Sequence, residues 1–260
     1  MKSIVLAVIG CLLVPTCSIA QEYRVTGAER TILIVDSTYD EGINDSVWAY
    51  IAPYKHIVDS VMSPVVGHIA NSLSARRPES PLSNLLADIL VWASAKYGEQ
   101  VVMGVYNMGG IRASLPKGTL TYGDVLEVAP FENKTCFLTL SGVHLMELFR
   151  NMAAVYGEGV SHGVEIVITK EGELKSARLN GEEIDADKDY RIATIDYLAE
   201  GNDRMTAFKH KTDFIAPDDE RNDTRYIICD YFKEMEARGV AVEAYVEGRT
   251  IVEDFDNIEQ

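Results

Sequence analysis

The sequence predicts an α+β domain built on a mixed or mostly antiparallel sheet. Short runs rich in β-branched residues are interspersed with stretches whose apolar residues recur at helical spacing, without regular strand–helix alternation. Asn180-Gly181, set between two such runs, is a strong two-residue hairpin signal. No period of roughly 20–50 residues repeats, and no low-complexity linker divides the chain.

From the start of the chain, Lys2, the apolar residues 4–14 and the small residues of Ser18-Ile19-Ala20 form an export signal. It is too short and too poorly flanked for a transmembrane span. Cleavage is expected after Ala20, leaving residues 21–260 as the mature domain with its core at about 66–252. Pro15-Thr16 ahead of Cys17 fits lipid-anchor processing badly. The protein is therefore expected to be exported, periplasmic or cell-surface.

Residues 21–29 read as a loose leader and 31–35 (TILIV) as a short strand. Over 44–61, Val47, Trp48, Ile51, Tyr54, Ile57, Val58 and Val61 recur at helical spacing and predict an amphipathic helix. A strand at Val65–Ile69 precedes Ser80-Pro81, an N-cap and first-turn proline, from which Leu82, Leu85, Leu86, Ile89, Leu90 and Ala93 form a buried helix face. Strands follow at 101–106 and 135–140, then a helix at Gly142–Ala154 with Val143, Leu145, Met146, Leu148 and Phe149 as its apolar stripe. Residues 164–169 and Leu174–Leu179 are strands joined by Lys170-Glu171-Gly172-Glu173, and 190–195 is a further strand. A helix at 224–238 and a closing strand at 249–253 complete the chain.

The 260 residues, 47% apolar and 25% charged, suit one large globular domain. A net charge of −16 excludes nucleic-acid and anionic-membrane surfaces, which need a basic footprint. An anionic small ligand fits only where arginines are focused locally. Cys136 falls in a strand and Cys229 in a helical stretch, so two buried thiols are expected rather than a bridge.

Chemistry concentrates in residues 102–142. The run 101–106 stops on Asn107; Gly109-Gly110 make a turn in which backbone N–H groups meet a ligand without a Cβ in the way, and Arg112 adds a forked cation suited to carboxylate or phosphate. Phe131, straight after Pro130 and between elements, is placed as a rim aromatic. Later, 196–203 (DYLAEGND) closes a strand with an aromatic and a carboxylate in a glycine turn; a ring stacks on a base, and a carboxylate accepts both hydroxyls of a ribose. Each piece alone also reads blandly, as a glycine turn, a surface Arg, a loop Phe or a turn Asp bonded to its own backbone.

Together, N-x-G-G-I-R, T-Y-G-D-V, P-F-x-N and L-S-G resemble the C-terminal domain of the 5′-nucleotidases, the family of the periplasmic UDP-sugar hydrolases and surface ecto-5′-nucleotidases. The 197–203 stretch is similar to that family's second aromatic motif. The resemblance implies that Phe131 and Tyr197 clamp a base and Asp203 binds the ribose. Asn107, Gly109, Gly110 and Arg112 would hold the sugar and phosphate side, with Arg76 or Arg77 also touching phosphate. Departures are plain: Tyr197 stands for the usual Phe, Met108 for the first glycine after Asn, Glu200 for a frequent Asn, Asn202 for a glycine, and Arg204-Met205 for Gly-Phe.

Full-length members of that family carry an upstream dinuclear metallophosphatase domain with D-x-H and G-N-H-[DE] motifs, and neither motif occurs here. His56, His68, His144, His162 and His210 are scattered singly and read as structural. G-x-S-x-G, P-loop and dinucleotide fingerprints are also missing. No catalytic residue, metal ligand or cofactor is therefore assigned to this chain. The expectation is a nucleotide-recognition domain for a nucleoside monophosphate or related nucleotide, with a separate metallophosphatase chain supplying the divalent metals. A non-enzymatic nucleoside- or nucleotide-binding protein is the alternative, and a degenerate pocket on a protein-contact scaffold a third.

Overall fold

The structure, a computed structural model, describes residues 26–34 and 45–253. The predicted export signal lies outside the described residues. Contacts divide the chain into a first unit up to Ile51 and a second from Ala52. In the first, residues 26–34 are exposed and without regular structure. The predicted strand at 31–35 is thus not formed over 31–34, and Val35 lies outside the described residues. An apolar β-branched run makes a strand only where a neighbour completes its hydrogen-bond ladder. Helix α1, Asp45–Met62, forms where its periodicity predicts, yet none of its residues is buried.

The second unit holds three sheets. In chain order come β1 (Val65–Ile69), α2 (Pro81–Ser94), β2 (Met103–Tyr106), β3 (Gly118–Thr121), α3 (Tyr122–Val128), β4 (Thr135–Ser141), α4 (Gly142–Ala154), β5 (Gly159–Val160), β6 (Val164–Ile168), β7 (Leu174–Leu179), β8 (Glu182–Glu183), β9 (Asp189–Ile195), α5 (Asp196–Ala199), β10 (Thr212–Ile215), α6 (Thr224–Ala237) and β11 (Thr250–Val252). The largest sheet runs β10-β4-β9-β2-β5, a second runs β11-β6-β7-β8, and β1 pairs with β3. The class is mixed α/β, as predicted. The hairpin also falls on the predicted dipeptide: Asn180 (φ 54°) and Gly181 (φ 78°) turn β7 into β8.

Helix α2 starts as its sequence requires. Ser80 is extended, its N–H donates to Ser83 Oγ at 3.2 Å, and Pro81 occupies the first turn, where no N–H is needed. Its buried leucines cover β2, and Gly104 permits the contact, because a β-carbon there would sit 2.4 Å from Ala87 O. Leu145, Leu148, Phe149 and Met152 of α4 are fully buried, as are Phe137 and Leu138 of β4. Cys136 and Cys229 are buried free thiols. Helix α3 was not predicted, although Thr121 and Asp124 form the capping box that starts it.

The pairing of β9 with its two neighbours gathers three chain segments at one edge of the sheet. Strands β2 and β9 are parallel neighbours, with Gly104 opposite Ala193. Their C-terminal ends therefore leave the sheet at the same edge. Strand β4 is antiparallel to β9, with Thr135 opposite Ile195, so the segment leading into β4 reaches that edge too.

Candidate functional site

Three chain segments meet beyond this edge and enclose a cavity of about 260 Å³. After β2, Asn107 and the tight turn Met108–Gly110 follow; after β9 comes α5 and the 197–203 turn; ahead of β4 come Phe131 and Asn133. Ligand sites favour such carboxyl ends of parallel strands, because loops leave there without strand neighbours to fill the space.

Asn107 is 4% exposed and its side-chain oxygen has no hydrogen-bond partner among the described residues. A β-carbon on Gly109 would lie 3.2 Å from that oxygen and 3.1 Å from Asp203 Oδ2. The glycine therefore lets an amide oxygen from one turn and a carboxylate oxygen from the other close on the same place. A buried acceptor without a donor costs about 1–3 kcal/mol, a deficit that a bound hydroxyl removes. Asp203 is itself fixed: the Tyr197 hydroxyl donates to its Oδ1 at 3.0 Å, and this bond, ahead of burial, pushes the phenol's pKa up. Arg112 lies with its guanidinium carbon 5.2 Å from the centroid of the Phe131 ring, a cation–π contact. Phe131 and Tyr197 are 43% and 38% exposed, so neither ring is spent on the core.

Seven of the nine residues singled out in the sequence therefore line one cavity: Asn107, Gly109, Gly110, Arg112, Phe131, Tyr197 and Asp203. Arg76 and Arg77 do not line it; they border a different, shallow depression with Pro78 and Glu79. Arg77 is committed elsewhere, its Nε donating to Val155 O at 2.7 Å and its Nη2 to Glu158. The sequence reading missed Asn133, which also lines the cavity, and Glu158, which supports it. The Glu158 side chain is wholly buried, and Oε2 accepts the Met108 N–H at 2.6 Å, so it braces the 107–110 turn from beneath. Burial pushes its carboxyl pKa up more than Arg77 and the Met108 N–H pull it down. The pattern Gly157-Glu158-Gly159, a carboxylate between glycines in an apolar stretch, was the available signal.

The sequence profile of the "5′-nucleotidase, C-terminal domain" family matches residues 65–210, more than half of the chain. The chain belongs to this family. An apyrase of Tabanus yao is 35% identical over 133 residues, covering 44% of this chain and 24% of its own. The trifunctional nucleotide phosphoesterase YfkN of Bacillus subtilis is 28% identical over 239 residues, covering 84% of this chain and 16% of its own. The crystal structure of a 5′-nucleotidase precursor from Thermus thermophilus superposes with a TM-score of 0.67 at 28% identity, over 80% of this chain and 42% of that one. The chain thus spans less than half the length of each of these relatives.

Within this 5′-nucleotidase C-terminal domain, the departures from the motif have structural occupations. Met108 is buried and its N–H is the one held by Glu158. Asn202 Nδ2 donates to Tyr197 O at 2.9 Å, tying the second turn to itself. Arg204, standing for a glycine, keeps the left-handed backbone a glycine would adopt (φ 66°), next to Asp203 at φ 49°.

Proposed function

We propose that this domain recognises a nucleoside monophosphate or a related nucleotide. In this reading the base stacks between Phe131 and Tyr197, the ribose hydroxyls donate to Asn107 and Asp203, and Arg112 faces the phosphate. The observation that carries it is the unpartnered, buried Asn107 oxygen converging with Asp203 Oδ2 in an aromatic-walled cavity. Two adjacent acceptors suit a diol, and ring faces suit a base of any identity.

Family membership implies divalent metals for the hydrolytic step. The lining residues offer a single carboxylate, Asp203, and no imidazole, which is not a ligand set for a dinuclear centre. No step is therefore assigned to metal in this cavity. Hydrolysis belongs to a metallophosphatase component outside these 260 residues, to which this domain delivers the nucleotide. Export is supported by the leader pattern of residues 1–20, and among the described residues no helix is long and apolar enough to cross a membrane.

Calorimetry with a nucleoside, its monophosphate and the free base tests the assignment. Arg112→Ala is expected to weaken monophosphate binding by roughly tenfold or more and to leave the nucleoside nearly unchanged, because a charge-assisted hydrogen bond is lost only with phosphate. Asp203→Ala is expected to weaken nucleoside and monophosphate alike and to spare the base. Equal losses for all three ligands in both variants would overturn it.

A further inference from the structure

The chain's five histidines stand apart in sequence, but folding brings two of them face to face. His144 lies in the first turn of α4, and Glu147, three residues on, projects from the same side of the helix, with His144 Nδ1 3.2 Å from Glu147 Oε2. His210 ends the short helix Thr206–His210, which packs on α4 and is pinned there by the Ala207 N–H donating to Asn151 Oδ1 at 2.9 Å. The His144 and His210 rings are parallel to within 5°, their centroids 4.0 Å apart. One ligand atom from each of the three residues lies within 4.8 Å of the other two.

We propose that His144, Glu147 and His210 form a binding site for one divalent transition-metal ion of the zinc class. Two imidazoles and a carboxylate are the donor set of zinc sites that keep an open fourth position. The same nitrogen-rich set selects zinc, nickel or copper over calcium and magnesium, which take oxygen. Metal–ligand bonds of about 2.0–2.2 Å put donors roughly 3.4 Å apart around a tetrahedral ion, so the cluster has to contract by at most about 1.4 Å. Two parallel rings cannot both aim a lone pair at one ion, so loading opens the angle between them. His210, exposed at the end of its short helix, provides that movement. The net charge of −16 raises the local concentration of any cation.

Two other pairs in the molecule show what a histidine–carboxylate contact looks like without this arrangement. His68 meets Glu236 at 2.7 Å and His162 meets Glu247 at 2.9 Å, each with one imidazole and, among the described residues, no second histidine in a metal-holding cluster. A loaded ion would clamp the Thr206–His210 helix to α4, and with it the chain immediately after Asp203-Arg204-Met205. The site is distinct from the nucleotide cavity, and its test does not depend on nucleotide binding.

The test uses untagged, chelator-treated protein titrated with zinc chloride in a calorimeter, with cobalt(II) absorption as a second readout. The expected result is one saturable equivalent, weakened at least about tenfold in H144A and separately in H210A, and unchanged in H162A. Zinc at a hundred times its dissociation constant should raise the folded-to-unfolded ratio about a hundredfold in wild type and not in H210A. His210 is exposed, so H210A tests the site without threatening the fold, and intense visible cobalt absorption in wild type reports tetrahedral imidazole ligation even if H144A folds poorly. Absence of saturable zinc binding, or binding that survives both H144A and H210A, would overturn the proposal.

Discussion

The two turns that wall the cavity are held in opposite ways. The 107–110 turn belongs to the core: Asn107 and Met108 are buried, and a fully buried carboxylate, Glu158, accepts the Met108 N–H from below while pairing with Arg77. The 197–203 turn anchors Leu198 and Ala199 in the core, but its cavity-facing residues lie nearer the surface and are tied to one another, Tyr197 to Asp203 and Asn202 to Tyr197 O. It ends on Asp203, which with the next residue, Arg204, makes two consecutive non-glycine residues with left-handed backbone. One half of the site is thus preformed at the cost of desolvating a carboxylate, and the other is tied locally by hydrogen bonds near the surface. Substitutions in the first should register as stability, and in the second as affinity.

The largest effect expected is that of Glu158→Ala. Removal of the carboxylate leaves the buried Met108 N–H without an acceptor, at about 1–3 kcal/mol, while the Arg77 side chain, 32% exposed, keeps access to water. That loss corresponds to a fall in Tm of roughly 2–12 °C for a domain of this size. Differential scanning calorimetry measures it, and a change of a degree or less would mean that the first turn does not rest on Glu158. The pH dependence sharpens this. Because burial raises the folded-state pKa above the unfolded value, near 4.5, the folded protein binds the extra proton in the window just above it. The stability from this group is complete below the unfolded pKa and is lost as pH rises through the folded one. Wild type should therefore be at its best relative to Glu158→Gln at acid pH, with the difference between them declining as pH rises through that window.

Next in size is Phe131→Ala, which concerns affinity alone. An exposed ring contributes little to folding, so Tm should barely move, whereas loss of one stacking face should weaken nucleotide binding by roughly five- to a hundredfold. Parallel melting and titration separate the two readouts. A variant that loses Tm but not affinity would place Phe131 with the core and reverse the comparison for this side of the cavity.

Why the first turn's support was hidden and the second turn's was not follows from the topology. Most elements were legible because each carries its signal locally: Ser80-Pro81 at a helix start, Asn180-Gly181 in a hairpin, and the stripe that buries Leu145, Leu148 and Phe149. The lining residues were legible because they cluster in three short stretches with the resemblance to guide them. The pairings of β9 with β2 and with β4, which bring those stretches together, join segments far apart in the chain and leave no local trace. The partnership of Arg77 with Glu158 is likewise long-range; in sequence Arg77 looked like a cation free for phosphate, and the fold spends it on a buried carboxylate. His144 and His210 each looked solitary for the same reason. Residues 31–34 erred in the other direction, with strand composition but no strand to pair with.

The smallest effect expected is the most specific to the surface turn. Tyr197→Phe keeps the ring and removes only the hydroxyl that donates to Asp203 Oδ1. If that bond holds the carboxylate ready for the ribose, its loss should weaken nucleoside and nucleotide binding by roughly two- to tenfold, the range of about 0.5–1.5 kcal/mol for one hydrogen bond. Free-base binding should not change, because stacking survives, and Tm should stay within a degree or so, because the bond lies outside the core. The pattern across ligands matters more than its size. A loss shared by the base would mean that the hydroxyl orients the ring rather than the carboxylate. No loss for any ligand would mean that Asp203 is held by its left-handed backbone alone, and the surface turn would then be as preformed as the buried one.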